Sequence, residues 1–65
     1  MKEGEILKNI KCIGIGNDTD GIFAHDKLMI FVPETKNQKR YDIKITKMLQ
    51  NIAFGKVLIL VKQKE

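Results

Sequence analysis

Apolar residues along this chain occur in short runs of strand length, separated by polar turn residues. The stretch 21–33 holds two such runs, Ile22 to His25 and Leu28 to Val32, with Asp26-Lys27 between them. Runs rich in β-branched and aromatic residues around a short polar break predict a β-hairpin with a tight turn. Pro33 has no N–H to donate, so we expect the second strand to end there.

Side chains alternate between the two faces of each predicted hairpin strand. We expect the core to receive the aliphatic face of both strands, which carries Ile22, Ala24, Leu28, Ile30 and Val32. The opposite face carries Phe23, His25, Met29 and Phe31. The sequence therefore predicts an exposed platform made of Phe23, His25 and Phe31.

A long apolar run precedes the hairpin. It covers residues 6–15, and Gly14 within it predicts a bulge or a bend. Cys12 lies among isoleucines in this run, so we interpret it as a small buried hydrophobic residue. The residues 16–21 are a dense cluster of turn formers that separates the run from the hairpin.

The second half of the chain predicts two more strands after a polar loop over residues 34–39. Residues 41–46 alternate without a break, which predicts a half-buried strand. Its apolar face carries Tyr41, Ile43 and Ile45. Residues 48–53 are ambiguous because Met48, Leu49 and Ile52 also fit a helical turn, although Gly55 disfavours a long helix. Residues 53–62 predict a closing strand. The phase of that strand is open, so Phe54 is assigned to neither face.

Five short strands with little room for helix predict an all-β fold. The 65 residues make one domain, 1–65. A small open sheet would leave its edges exposed, so closure is favoured. We therefore predict a small five-stranded OB-like β-barrel, with residues 6–15 as its long, bent first strand.

Charge is distributed unevenly along the chain. The net charge is +4, with four lysines against six acids in residues 1–34 and eight basic residues against two acids in 35–65. A basic half on a small domain indicates an anionic partner, most often nucleic acid. The alternative is that the lysines only keep the protein soluble.

The sequence predicts neither a secreted protein nor a membrane protein. A single cysteine forms no intramolecular disulfide, which fits a reducing compartment. The first ten residues lack the apolar core of a signal peptide. No apolar run approaches the ~18 residues of a membrane span. We expect a cytoplasmic protein.

Motifs for catalysis, metals or cofactors are incomplete. Gly14-x-Gly16 has Thr19 where a dinucleotide fingerprint needs its third glycine. Asp18-x-Asp20-Gly21 resembles part of a calcium loop, but Lys27 stands where the bidentate glutamate belongs. The chain has one His and one Cys, too few for a metal cluster, and no nucleophile–base arrangement. We expect no catalytic residue, no metal, no cofactor and no enzyme activity.

Aromatic residues interleaved with basic ones indicate a nucleic-acid surface. Small barrels hold single strands by stacking bases on aromatic rings beside a basic groove. The candidate RNA-binding residues are Phe23, His25, Lys27, Phe31, Lys36, Lys39, Arg40, Lys44, Lys47 and Phe54. The alternative is that the aromatic residues belong to the core, which the alternation of 41–46 favours for Tyr41.

A set of short motifs in this order resembles the TRAM domain. The motifs are Gly16, Gly21-Ile22, Ile30-Phe31-Val32-Pro33, Tyr41-x-Ile43-x-Ile45-Thr46-Lys47 and Ala53-Phe54-Gly55-x-Val57. They span about residues 5–58 without a gap. The resemblance implies a small OB-like barrel that binds RNA. Members of that family are fused to tRNA-modifying enzymes or stand alone in archaea, where they resemble cold-shock RNA chaperones. The short chain resembles the free-standing archaeal type.

Four positions depart from the pattern of that family. Phe23 stands where the family usually has Ala, which adds an aromatic ring to the predicted platform. Lys27, Glu34 and Gln38 stand where it usually has Gly. These departures predict a different hairpin turn and a different loop after Pro33.

The first hypothesis is a monomeric RNA chaperone of low sequence specificity that binds single-stranded RNA or tRNA. The second is an adaptor that docks on a tRNA-modification enzyme or the ribosome. The third is an architectural protein for duplex DNA, with Met29 or Phe31 as a minor-groove wedge. The sequence leaves open the RNA target, the base preference and the oligomeric state.

Overall fold

The computed structural model describes residues 2–58, which form an all-β fold. Its strands are β1 (Ile6–Lys11), β2 (Gly14–Ile15), β3 (Gly21–His25), β4 (Leu28–Val32), β5 (Arg40–Met48) and β6 (Ile52–Val57). They form one curled, mixed sheet in the order β1-β5-β6-β4-β3-β2. This half-barrel is consistent with the predicted small β-barrel.

The first apolar run is two strands, so the sheet has six strands and the predicted five is wrong. The run breaks at Cys12-Ile13, and its halves pair at opposite edges of the sheet: β1 with β5, and β2 with β3. At the break, the Cys12 N–H donates to the Lys39 carbonyl at 2.8 Å, and the Gln38 N–H donates to the Cys12 carbonyl at 2.9 Å. The run therefore bends at Cys12-Ile13, directly before Gly14, and not at Gly14 where the bend was predicted.

The predicted hairpin is β3 and β4. Its turn is Asp26-Lys27, with φ values of 52° and 67°. Positive φ at both central residues is the type I′ geometry that suits a two-residue hairpin. The strand β4 ends at Val32, directly before Pro33, as predicted.

The buried core corrects the predicted faces of β3. The core residues are Leu7, Cys12, Phe23, Ile30, Val32, Ile43, Ile45 and Ala53. Phe23 is 0% exposed, whereas Ala24 is exposed and Ile22 is half-buried. Phe23 pairs directly with Ile30, and directly paired residues share a face of the sheet. The prediction that Ile22 and Ala24 face the core is wrong, while those for Ile30 and Val32 are confirmed.

Strand β5 confirms the predicted alternation and the core position of Tyr41. Ile43 and Ile45 are fully buried, and Tyr41 packs against the core beside them. The Tyr41 ring meets Phe23 edge to face, with centroids 6.1 Å apart and planes at 77°. The Tyr41 hydroxyl also accepts the Lys36 N–H at 2.9 Å, which ties the loop after β4 to β5.

A short turn over residues 49–51 joins β5 to β6, so the helical turn that residues 48–53 could also fit is not formed. The Leu49 N–H donates to the Ile52 carbonyl at 2.8 Å across this turn. The predicted closing strand begins at Ile52, one residue early, and is described to Val57. The rest of that prediction, 59–62, lies outside the described residues.

Candidate nucleic-acid interface

Two phenylalanine rings meet on the outer face of the sheet, the face turned away from the core. Phe31 and Phe54 are direct partners in the parallel pair β4 and β6. Their ring centroids lie 6.0 Å apart and their planes are tilted by 36°. Both residues are half-buried, so each ring keeps part of its surface accessible. We call these two residues the aromatic pair.

A bulge in β5 brings a lysine beside the aromatic pair. The register between β5 and β6 shifts between Ile45 and Lys47. Ile45 and Met48 both pack into the core, so Thr46 and Lys47 both lie outward. The Thr46 hydroxyl donates to the Phe54 carbonyl at 3.1 Å, and Lys47 is the direct strand partner of Phe54. Lys47, Phe54 and Phe31 therefore form one row across three strands.

Two further lysines face each other on the same outer face. Lys44 of β5 is the direct partner of Lys56 of β6, one row away from Lys47 and Phe54. Within residues 2–58 neither lysine has an ion-pair partner. Asp42, the nearest acid on β5, accepts the Asn9 N–H at 2.9 Å and pairs with Lys8 at 3.8 Å. Like charges directly opposite on a sheet are destabilising, so this pair suits an anion.

The aromatic pair forms one wall of a shallow cleft of about 170 Å³. The lining residues are Gly16, Asn17, Asp18, Asp20, Phe31 and Phe54. The loop over the cleft is held by two backbone hydrogen bonds, Gly16 N–H to the Asp20 carbonyl at 2.8 Å and Thr19 N–H to the Gly16 carbonyl at 3.0 Å. Two aspartates therefore line the same cleft as two aromatic residues, a juxtaposition that no sequence motif predicted.

The predicted platform of Phe23, His25 and Phe31 does not exist. Phe23 lies in the core, and His25 belongs to the same face of β3 at its end, with its side chain 34% exposed. The His25 Nε2 lies 3.6 Å from the Asp26 carboxylate. Lys27 is exposed at the tip of the hairpin. The partner of Phe31 is Phe54, the residue whose face the sequence left open.

Three other predicted basic residues lie at the opposite end of β5 from Lys47. Lys36 and Lys39 are exposed in the loop before β5, and Arg40 is its first residue. The Arg40 guanidinium donates to the Asn9 carbonyl at 3.0 Å, which fixes it against β1. The sheet thus groups Lys44 and Lys47 with the aromatic pair and separates Lys36, Lys39 and Arg40 from it. Lys56, which was not among the predicted RNA-binding residues, lies with Lys44 and Lys47 on this face.

Other kinds of site are not formed by the described residues. No cluster of three or more His, Cys, Asp or Glu side chains in residues 2–58 is arranged to hold a metal ion. That same part of the chain contains no helix long and apolar enough to cross a membrane.

Comparison with known proteins supports the fold and gives no information on function. No family model and no curated protein matches the chain. The solution structure of a conserved protein from Methanococcus maripaludis superimposes with a TM-score of 0.82 and 22% sequence identity. The match covers 91% of this chain and 83% of that one. At this identity the likeness shows a shared fold alone.

Proposed function

We propose that this protein binds single-stranded RNA or single-stranded parts of tRNA, with low sequence specificity, as a monomeric cytoplasmic RNA chaperone. The observation that carries the proposal is the row of Lys47, Phe54 and Phe31 on one outer face. A ring surface for bases beside cations for phosphates is the arrangement by which small barrels hold single strands. No cofactor or covalent step is part of this function.

The strand pairing supports an OB-like barrel as the finer description of the fold. The first run contributes β1 to one edge and β2 to the other, as one bent strand does when it closes a barrel. Strands β4 and β6 are parallel within an otherwise antiparallel set. Counting β1 and β2 as one strand gives the five strands of that barrel.

Backbone conformation supports membership of the TRAM family. The three described positions where that family usually has glycine are Lys27, Glu34 and Gln38, with φ values of 67°, 62° and 73°. Glycine is the residue that favours this left-handed region. The backbone at these positions therefore keeps a conformation that suits glycine, so the predicted difference in the turn and the loop is not found there.

Two glycines of the family motifs also have a packing reason. A Cβ on Gly21 would overlap the Thr35 hydroxyl, and Thr35 is buried and donates to the Val32 carbonyl at 3.1 Å. A Cβ on Gly55 would lie 2.7 Å from the Ile43 Cγ2 and 2.9 Å from the Lys44 carbonyl. The close approach of the loop after β4 at Gly21, and of strand β5 at Gly55, therefore needs glycine at both positions.

Chaperone action follows from this binding mode. Unpaired bases would stack on the aromatic pair, and Lys44, Lys47 and Lys56 would attract phosphates. Such contacts compete with base pairing and are individually weak, so bound RNA is released and can refold. Phosphate contacts carry no sequence information, which fits low specificity.

A titration that compares three nucleic acids tests this proposal. Fluorescence anisotropy would measure affinities for labelled single-stranded RNA, single-stranded DNA and duplex DNA of equal length, at several salt concentrations. We expect tighter binding to the single strands, with a log–log salt slope of about −0.7 for each phosphate neutralised.

Two results would overturn the proposal. Preference for the duplex would support an architectural role on DNA through the exposed Met29. Absence of binding to every nucleic acid would leave the adaptor role, in which the outer face docks on a protein.

A further inference from the structure

We propose that the cleft between the aromatic pair and the 16–20 loop holds a nucleobase with an exocyclic amino group, and that it disfavours uracil. This inference rests on the proposed RNA binding and adds a base preference to it. It starts from two kinds of residue that line the cleft, the aromatic Phe31 and Phe54 and the acidic Asp18 and Asp20.

The outer face is polarised across the strands. Its cations, Lys44, Lys47 and Lys56, lie on β5 and β6. Asp18 and Asp20 lie in the loop that leads into β3, which is two strands beyond β6 in the sheet, whereas Asp42 of β5 is already paired with Lys8. Neighbouring strands are about 4.8 Å apart, so Lys47 on β5 lies three spacings, on the order of 14 Å, from β3, with Phe54 on β6 and Phe31 on β4 between them.

A nucleotide also has an anionic end and an opposite end that forms hydrogen bonds. Its phosphate is anionic, and the far edge of its base carries the hydrogen-bonding groups. A base stacked on Phe31 and Phe54 with its phosphate toward Lys47 would therefore direct its Watson–Crick edge to the loop. The reverse orientation would bring the phosphate to Asp18 and Asp20, where like charges repel.

Carboxylates are acceptors only, which sets the preference among bases. Cytosine, adenine and guanine each present an amino donor on this edge, and an aspartate accepts from such a group. Uracil presents two carbonyl oxygens around a single N–H, and both would face the negative charge. The side chains of Asp18 and Asp20 have no hydrogen-bond or ion-pair partner within residues 2–58, so their oxygens are available.

Titrations with short RNA homopolymers of C, A and U, of equal length, test this inference. We expect C and A to bind at least about fivefold more tightly than U. In Asp18→Asn/Asp20→Asn the preference should fall towards unity, because an amide both donates and accepts and so tolerates uracil. The control is Asp26→Asn/Glu34→Gln, which removes two exposed acids outside the cleft and changes the net charge equally.

Each outcome of these titrations either supports or overturns the inference. A preference for C and A that the cleft variant loses and the control keeps supports it. Equal binding of the three homopolymers by the unaltered protein overturns it while leaving the proposed RNA binding intact. A preference that survives in the cleft variant also overturns it. Absence of binding to all three would remove the proposed function, and the base preference with it.

Discussion

Removing one lysine of the opposed pair Lys44 and Lys56 should stabilise the free protein and weaken its binding to RNA. The two residues are direct strand partners, so their Cβ atoms lie about 5 Å apart. The ammonium groups can separate to about 6 Å in water, where two like charges repel by about 0.7 kcal/mol. Lys56→Gln keeps most of the side-chain volume and removes this repulsion.

Thermal unfolding followed by circular dichroism measures the stabilisation. We expect the melting temperature of Lys56→Gln to rise by about 3–6 °C, the shift that about 0.7 kcal/mol gives for a domain of this size. The rise should shrink with added salt, which screens exposed charges. Lys36→Gln is the control, because Lys36 lies in a loop without an opposed lysine, and its melting temperature should not rise.

The same variant should bind single-stranded RNA with a salt slope about 0.7 less steep, since one phosphate contact is lost. In a double-mutant cycle, adding Lys44→Gln to Lys56→Gln should give no second stabilisation, because the repulsion is already gone. A lower melting temperature for Lys56→Gln, or an unchanged salt slope, would refute the assignment of this pair to an anion site.

Three further substitutions test other parts of the structure. Phe23→Ala should lower stability by about 3–5 kcal/mol as a core truncation, whereas Phe31→Ala should cost about half of that or less, which urea titration would separate. Lys27→Gly should raise stability by up to about 1 kcal/mol in the same assay, because it relieves a left-handed residue and leaves an Asp-Gly turn; a loss would contradict the type I′ geometry. Lys44→Glu/Lys47→Glu should weaken all RNA sequences about equally in anisotropy titrations, and a loss confined to one sequence would contradict backbone contacts.

The strands and the tight turn of the hairpin were predictable because their signals are local. Alternation in 41–46, the break at Asp26-Lys27 and the stop at Pro33 all act within a few residues. Gly14 predicted a bend in the first run but placed it directly after the observed break. The change of hydrogen-bond partner, from Lys39 at Cys12 to Ile22 at Ile13, was not predictable, since it depends on residues distant in the sequence.

The face of Phe23 could be predicted from the sequence only by considering how the two hairpin strands pair. A two-residue turn at 26–27 makes His25 the partner of Leu28, and therefore Phe23 the partner of Ile30. Paired residues share a face, so an aromatic residue opposite Ile30 belongs in the core. Assigning faces to each strand separately missed this link and produced the wrong platform.

The rest of the interface could not be predicted because it depends on long-range pairing. Strict alternation from Ile45 would turn Lys47 towards the core, and the bulge in β5 returns it to the outer face. Phe54 meets Phe31 through a parallel pair that has no signature in the local sequence. The opposition of Lys44 and Lys56 follows from the same register.

The most direct test of the central claim is an NMR titration of the protein with a short single-stranded RNA. Base protons that stack on Phe31 and Phe54 should move upfield and show intermolecular NOEs to these two rings, while the core rings of Phe23 and Tyr41 show none. The amide signals of Lys44, Lys47 and Lys56 should shift in the same titration. NOEs from the bases to Tyr41 or the 33–39 loop, with Phe31 and Phe54 unperturbed, would contradict the account.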